Sequence, residues 1–239
     1  ALPPDVLRRQ QETTQVAAGV LPAASPAVRD LRLPNGMRVL LQKNRSAPFV
    51  VAYGNVMAGP VFEPRDKAGL ASFTAEMLSR GTQKRTWQEI QESLDFAAAQ
   101  LGFGTGQQVA TIAGQSLKAD LPLLLEAAAE QLILPCFPQP EIEKVRTEML
   151  AAQARRDEDT FEVAQKELFA RLYPVGHPLH ESPLGDRESV TSITREDLLA
   201  FHAKWYRPEN TILSIIGDFD SEQVAKLVEQ AFGDWKRAG

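Results

Sequence analysis

Cysteine is almost absent from this chain. The single one, Cys136, excludes an internal disulfide framework and any multi-cysteine zinc site. It stands between Pro135 and Phe137 with no activating partner in view, so it reads as a small buried hydrophobe. Long apolar runs are missing as well. Nothing approaches the roughly eighteen residues that a membrane-spanning helix needs. Positive charge is not in surplus: 26 Lys and Arg against 31 Asp and Glu leave a formal net charge of −5. That excludes the concentrated basic surface of a nucleic-acid binder or a polybasic membrane anchor. Neither a G-x-S-x-G elbow nor a phosphate-binding glycine loop before a helix is present.

What remains is ordinary globular material, 239 residues with 44% hydrophobic and 24% charged, long enough to bury a sizeable core. A chain that begins at Ala1 with no apolar leader is expected to be a processed product or a piece of something longer. Residues 1–28, rich in Ala, Pro and polar residues and without a sustained period, read as a linker or N-terminal arm. Residues 29–239 are expected to form a single domain.

The pattern in that domain changes several times. "DLRLPNGMRVLLQKN" predicts two strands joined by a Pro-Asn-Gly turn at 34–36. "PFVVAYGNVMAG" predicts a third strand whose apolar run suggests burial on both faces. Residues 66–80 and 86–100 carry apolar positions at i, i+3 and i+4 and read as helices, parted by a Gly81-Thr82 stop. "QLGFGTGQQVATIAGQSL" reads as two strands or one long bent one. An apolar helix follows, with Pro122 in its first turn, then a long charged helix from Pro140 and another over 160–172. A loop with the pair His177 and His180 leads to a helix opened by Thr194 and Asp197 in the manner of a capping box. On that helix His202 is placed beside Trp205. A buried strand, "NTILSIIGDF", and an amphipathic helix close the chain. Hairpins mixed with helices predict an α+β fold, an antiparallel or mixed β-sheet with helices packed mainly on one face.

Four stretches, "LPNGMRVLLQKN", "KAGLASFTAEMLSRGTQKRTWQEI", "LPCFPQPEIEKVRTEMLAAQARRDED" and "HAKWYRPENTILSIIGDFD", together resemble one domain of the pitrilysin/insulinase (M16) metalloprotease family, which includes the mitochondrial processing peptidases. The resemblance implies the LuxS/mitochondrial-processing-peptidase-like metallohydrolase fold. In active members the helix before the Met-Leu and Gly-Thr elements carries H-x-x-E-H, two histidines holding zinc and a glutamate polarising water. Here Ser72 and Glu76 stand at the histidine positions and Ala75 at the glutamate position. The family's third ligand, a glutamate on the later charged helix, is matched by Glu148, and its accompanying acid by Glu141. Glu76 and Glu148 alone offer two carboxylates to a hard cation, but zinc sites of this geometry rely on imidazole and nothing replaces the base. The plain reading of Glu148 is a surface carboxylate paired with Arg or Lys, and of Ser72 and Ala75, close helix packing.

The resemblance therefore implies a catalytically inactive domain with no cofactor of its own. Zinc is expected only in an active M16 domain or subunit paired with it. Unfolded peptide is the implied substrate, added as a β-strand to a sheet edge inside a shared chamber. Leu101, Gly102, Phe103, Gly104, Thr105 and Gly106 match the substrate-binding edge, where glycines leave one side bare; the bland reading is that these glycines mark a bulge or bend. An active zinc endopeptidase with unusual ligands and a purely structural scaffold subunit are the competing classes.

Overall fold

The computed structural model describes residues 28–46, 48–175, 177, 179–180 and 182–237. The arm expected at 1–28 lies outside these residues except for Val28, which already opens the first strand. Six strands form one open mixed sheet: β1 (Val28–Arg32), β2 (Arg38–Lys43), β3 (Phe49–Val56), β4 (Gln100–Thr105), β5 (Ala110–Leu117) and β6 (Thr211–Gly217). Their order across the sheet is β1-β2-β6-β3-β5-β4. Every neighbouring pair is antiparallel except β2 with β6, which run parallel. The β1–β2 hairpin turns where expected, Gly36 taking the left-handed conformation (φ 91°) that such a turn assigns to glycine.

Eight helices are found among the described residues: α1 (Leu70–Leu78), α2 (Trp87–Phe96), α3 (Leu121–Ile133), α4 (Gln139–Glu158), α5 (Thr160–Leu172), α6 (Arg187–Ser192), α7 (Arg195–Trp205) and α8 (Ser221–Phe232). The helix expected over 66–80 is shorter than its pattern, because two 3-10 turns, Pro60–Phe62 and Arg65–Lys67, occupy the approach to it. Capping chemistry fixes the starts of several others. Thr86 with Glu89, Asp186 with Ser189 and Thr194 with Asp197 form reciprocal capping boxes at α2, α6 and α7.

Among the described residues the sheet has one covered and one open face. Val39, Leu41, Val50, Ala52, Val56, Ile112, Leu213 and Ile215 are buried in a core shared with Phe73 and Met77 of α1, Leu124 and Leu125 of α3, and Val228 and Phe232 of α8. The alternate residues, Phe49, Val51, Tyr53, Leu117, Ile212 and Ile216, are each about two-fifths to one-half exposed, from 39% to 47%. This corrects the expectation that β3 and β6 are buried throughout. Side chains on a strand alternate between faces, and among the described residues the helices cover one face only.

Candidate functional site

α1 lies over the end of the sheet formed by β4 and β5, so the turn 72–76 is held beside an edge strand. The helix is set there by its own apolar side chains: Phe73, Met77 and Leu78 are fully buried. Its first amides are capped from outside. Glu63, half-buried, accepts hydrogen bonds from the N–H of Gly69 (3.0 Å) and of Ala71 (2.9 Å). Burial raises the Glu63 carboxyl to about 7, against the lowering effect of those amide donors. The sequence gives little notice of Glu63, which stands too far before the helix to match a capping box.

The three motif positions differ in their surroundings. Ser72 is buried and its hydroxyl donates to the Pro183 carbonyl at 2.7 Å, with Thr105 Oγ1 at 2.8 Å. Ala75 is buried without a polar atom. Glu76 is exposed, and among the described residues no hydrogen bond or ion pair engages it. Its carboxyl is raised by desolvation and by the nearby Glu148 charge, and lowered by Arg80. Arg80, just past the end of α1, pairs with Glu148 at 2.7 Å and lies 3.9 Å from Glu141, which Lys144 holds at 2.6 Å. The structure thus brings Glu76, Arg80 and Glu148 together, with Glu141 beside Arg80, and gives the Ser72 hydroxyl partners of its own.

This donor set does not fit zinc. The Ser72 hydroxyl is already engaged, Ala75 offers nothing, and Glu148 is neutralised by a guanidinium. Among the described residues no three His, Cys, Asp or Glu side chains stand close enough to hold a metal ion. The histidines are placed elsewhere. His177 stacks on Tyr173, with ring centroids 4.6 Å apart, and His180 Nδ1 is 2.8 Å from the Tyr173 carbonyl. His202 stacks on Tyr206 rather than Trp205, which packs against Phe62. His202 Nε2 lies 2.8 Å from the Leu132 carbonyl, and burial lowers its pKa to about 4.

Beyond the turn, the Gly81-Thr82 stop leads into a closed polar cluster. Glu130 of α3 is buried, receives Arg85 at 2.8 and 3.0 Å, and accepts the Thr82 hydroxyl. Burial alone raises the Glu130 carboxyl, but Arg85 and Thr82 outweigh it and the pKa is lowered. The exposed approach to this loop includes Cys136, whose thiol burial pushes upward in pKa.

β4 is the last strand of the sheet and pairs only with β5 among the described residues. The pairing runs one to one from Gln100↔Gln115 to Thr105↔Ala110, so its glycines mark no bulge. A Cβ added at Gly102 meets nothing within 4 Å, and one at Gly104 meets only the Thr111 hydroxyl at 3.3 Å. Gly106 lies beyond the strand end, and its N–H closes the hairpin on the Val109 carbonyl at 2.8 Å. In an antiparallel ladder, residues bonded to the partner alternate with residues whose N–H and C=O face outward. Counting back from Gly106, the outward backbone groups belong to Thr105, Phe103 and Leu101. Their side chains share the covered face with Ala110, Ile112 and Gly114 of β5.

A six-stranded mixed sheet with helices on one face, and a metal-motif helix beside its edge strand, define a domain of the M16 peptidase fold. A model of the insulinase family, peptidase family M16, matches residues 38–182, and one of the peptidase M16 inactive domain matches residues 192–239. The chain belongs to the M16 family. It is 29% identical over 233 residues to an uncharacterized zinc protease of Mycobacterium leprae, a match covering 95% of this chain and 51% of that one. It is 27% identical over 225 residues to a probable mitochondrial-processing peptidase subunit beta of Schizosaccharomyces pombe, covering 94% and 49%. The chain thus spans about half the length of these curated relatives. The peptidase M16 inactive domain of Pseudomonas fluorescens superposes with a TM-score of 0.83 at 25% identity, covering 89% of this chain and 52% of that one. The first half of the periplasmic protease PqqL of Escherichia coli does so with a TM-score of 0.81 at 19% identity, covering 91% and 48%.

Proposed function

We propose that this domain is a non-catalytic M16 unit that holds extended peptide on the outer edge of β4 and pairs with a zinc-bearing M16 domain or subunit to enclose it. The observation that carries the reading is the free edge itself: three residues, Leu101, Phe103 and Thr105, turn their main-chain groups outward. The intervening Gly102 and Gly104 have no bulge to form, and at Gly102 the fold leaves room for a side chain that the sequence does not supply. An incoming strand binds such an edge through backbone groups and needs no metal. Hydrolysis is left to the partner, because the turn 72–76 lacks both imidazoles and the acid that would move a proton. The relatives' length supports the pairing, since they carry as much chain again as the match uses.

The test is binding of a dye-labelled, unstructured ten-residue peptide to the purified chain, followed by fluorescence anisotropy. Saturable binding is expected, and N-methylation of alternate peptide residues is expected to abolish it by removing the donors that face β4. Equal affinity for the methylated peptide would rule out strand addition. Stoichiometric zinc with chelator-sensitive proteolysis would instead favour the active-enzyme class. The scaffold reading draws on the open apolar face of β3 and β6, which is suited to a permanent neighbour; stable co-purification with a partner and no peptide affinity would establish it.

A further inference from the structure

We infer that Ser72, at the first histidine position of the metal motif, is a positioning residue for the peptide edge, fixing the last outward-facing residue of β4; the inference rests on the peptide reading above. Its geometry determines the direction of the hydrogen bonds. The Pro183 carbonyl has no proton to give, so at 2.7 Å the Ser72 hydroxyl donates to it. A hydroxyl has only one proton. The 2.8 Å contact with Thr105 therefore runs the other way, Thr105 Oγ1–H donating to Ser72 Oγ. The chain Thr105 to Ser72 to Pro183 spans three separate segments: the edge strand, α1 and the loop before α6.

β4 has unusual need of such a tie. Among the described residues it is bonded on one side only, and Gly102 and Gly104 contribute no side-chain packing to hold it. Of the three residues that present backbone to the free edge, Leu101 and Phe103 are anchored by apolar packing against the core. Thr105 is anchored by Ser72 instead. The Pro183 end of the chain is itself fixed on either side: Arg156 Nη1 donates to Ser182 Oγ at 2.7 Å and Gln153 Nε2 to the Leu184 carbonyl at 2.8 Å. Ser72 thus transmits the position of a braced loop to the end of the edge strand. A pre-set third contact spares an incoming strand the entropy of ordering it. The position that carries a metal ligand in the motif serves here to hold a strand.

The experiment compares Ser72→Ala, Thr105→Val and Thr105→Ser in the intact chain, with the labelled ten-residue peptide as probe. Losing this anchor is expected to weaken binding roughly fivefold in Ser72→Ala and in Thr105→Val, the equivalent of one hydrogen bond. The double variant should be no weaker than Ser72→Ala, because both changes break the same contact. Thr105→Ser, which keeps the hydroxyl, should bind as the unmodified chain does. Hydrogen exchange should accelerate over 101–105 and stay unchanged in β3 and α3, a local signature that general destabilisation does not give. If Ser72→Ala fails to fold, the Thr105 pair decides alone. Saturable binding by the unmodified chain that is indifferent to these substitutions overturns the inference and leaves the peptide reading standing. Absence of saturable binding by the unmodified chain removes both.

Discussion

Two polar clusters follow the C-terminal end of α1, and they differ in how much the fold depends on them. In the first, Arg80 pairs with Glu148, whose side chain is 57% exposed, and lies 3.9 Å from the more buried Glu141. In the second, one turn further on, Glu130 is 5% exposed at its side chain and is closed in by Arg85 and Thr82. The motif positions of α1 are either small and buried, as at Ser72 and Ala75, or turned to solvent, as at Glu76. Enlarging the two buried positions requires their neighbours to repack, whereas Glu76 can change freely. The Thr82–Arg85–Glu130 cluster locks the loop after α1 to α3 and touches no motif residue. Scaffold and chemistry of an M16 site are therefore separable in this molecule.

The strongest challenge to that separation is to put the chemistry back. Ser72→His, Ala75→Glu and Glu76→His together should give a folded chain that binds zinc with micromolar affinity or better, a standard binding free energy of about −8 kcal/mol. Isothermal titration with zinc, reversed by chelator, measures it. Adding Arg80→Ala should tighten binding further, because the Glu148 carboxylate is then released from its ion pair. A folded triple variant with no zinc affinity would show that Glu148 is not in the third-ligand position.

The next largest effect sharpens the contrast through stability. Glu130→Ala leaves Arg85 half-buried without its partner and should cost about 3 kcal/mol, read by urea unfolding. Arg80→Ala breaks a pair whose carboxylate is mostly in water and should cost less than about 1 kcal/mol. Equal costs would mean that the surface cluster also supports the fold.

Much of this frame was legible in the sequence because its causes are local. Pro34-Asn35-Gly36 is a turn wherever it occurs, and Thr194 with Asp197 begins a helix from four residues' worth of information. Four ordered stretches identified the family, and Glu148 was legible as an ion-paired carboxylate. The misreadings share one origin, in that they depend on what lies opposite. Apolar residues on both sides of β3 and β6 suggested full burial, but burial needs a second layer, and the described residues place helices on one side only. Spacing put His202 near Trp205, yet Phe137, from a distant loop, and Tyr206 enclose its ring. The Ser72 tie was the least legible of all, since Thr105 and Pro183 lie 33 and 111 residues away along the chain.

A change of pH tests whether the supports of α1 and its neighbour α7 balance one another. Glu63, which caps α1, has its carboxyl raised to about 7 by burial, from 4.5. Its folded form binds the proton more tightly than the unfolded chain does, so its contribution to stability is complete below about 4.5 and is lost as pH rises through 7. His202 on α7 is lowered by burial to about 4, from 6.5. Its unfolded form takes the proton first, so its contribution is complete above about 6.5 and is lost as pH falls towards 4. Between pH 7.5 and 5 the two slopes oppose, and the unmodified chain should change little. Glu63→Gln leaves the histidine alone, and stability should then fall by about 1 to 2 kcal/mol on acidification across that interval, after allowance for partial exposure. His202→Phe keeps an aromatic ring against Tyr206 and leaves the carboxyl alone; its stability should rise with acid by a similar amount. Urea midpoints at half-unit pH steps measure all three slopes. Parallel slopes in the two variants would show that neither group titrates as its burial requires, and that α1 owes its cap to an ionised Glu63 throughout.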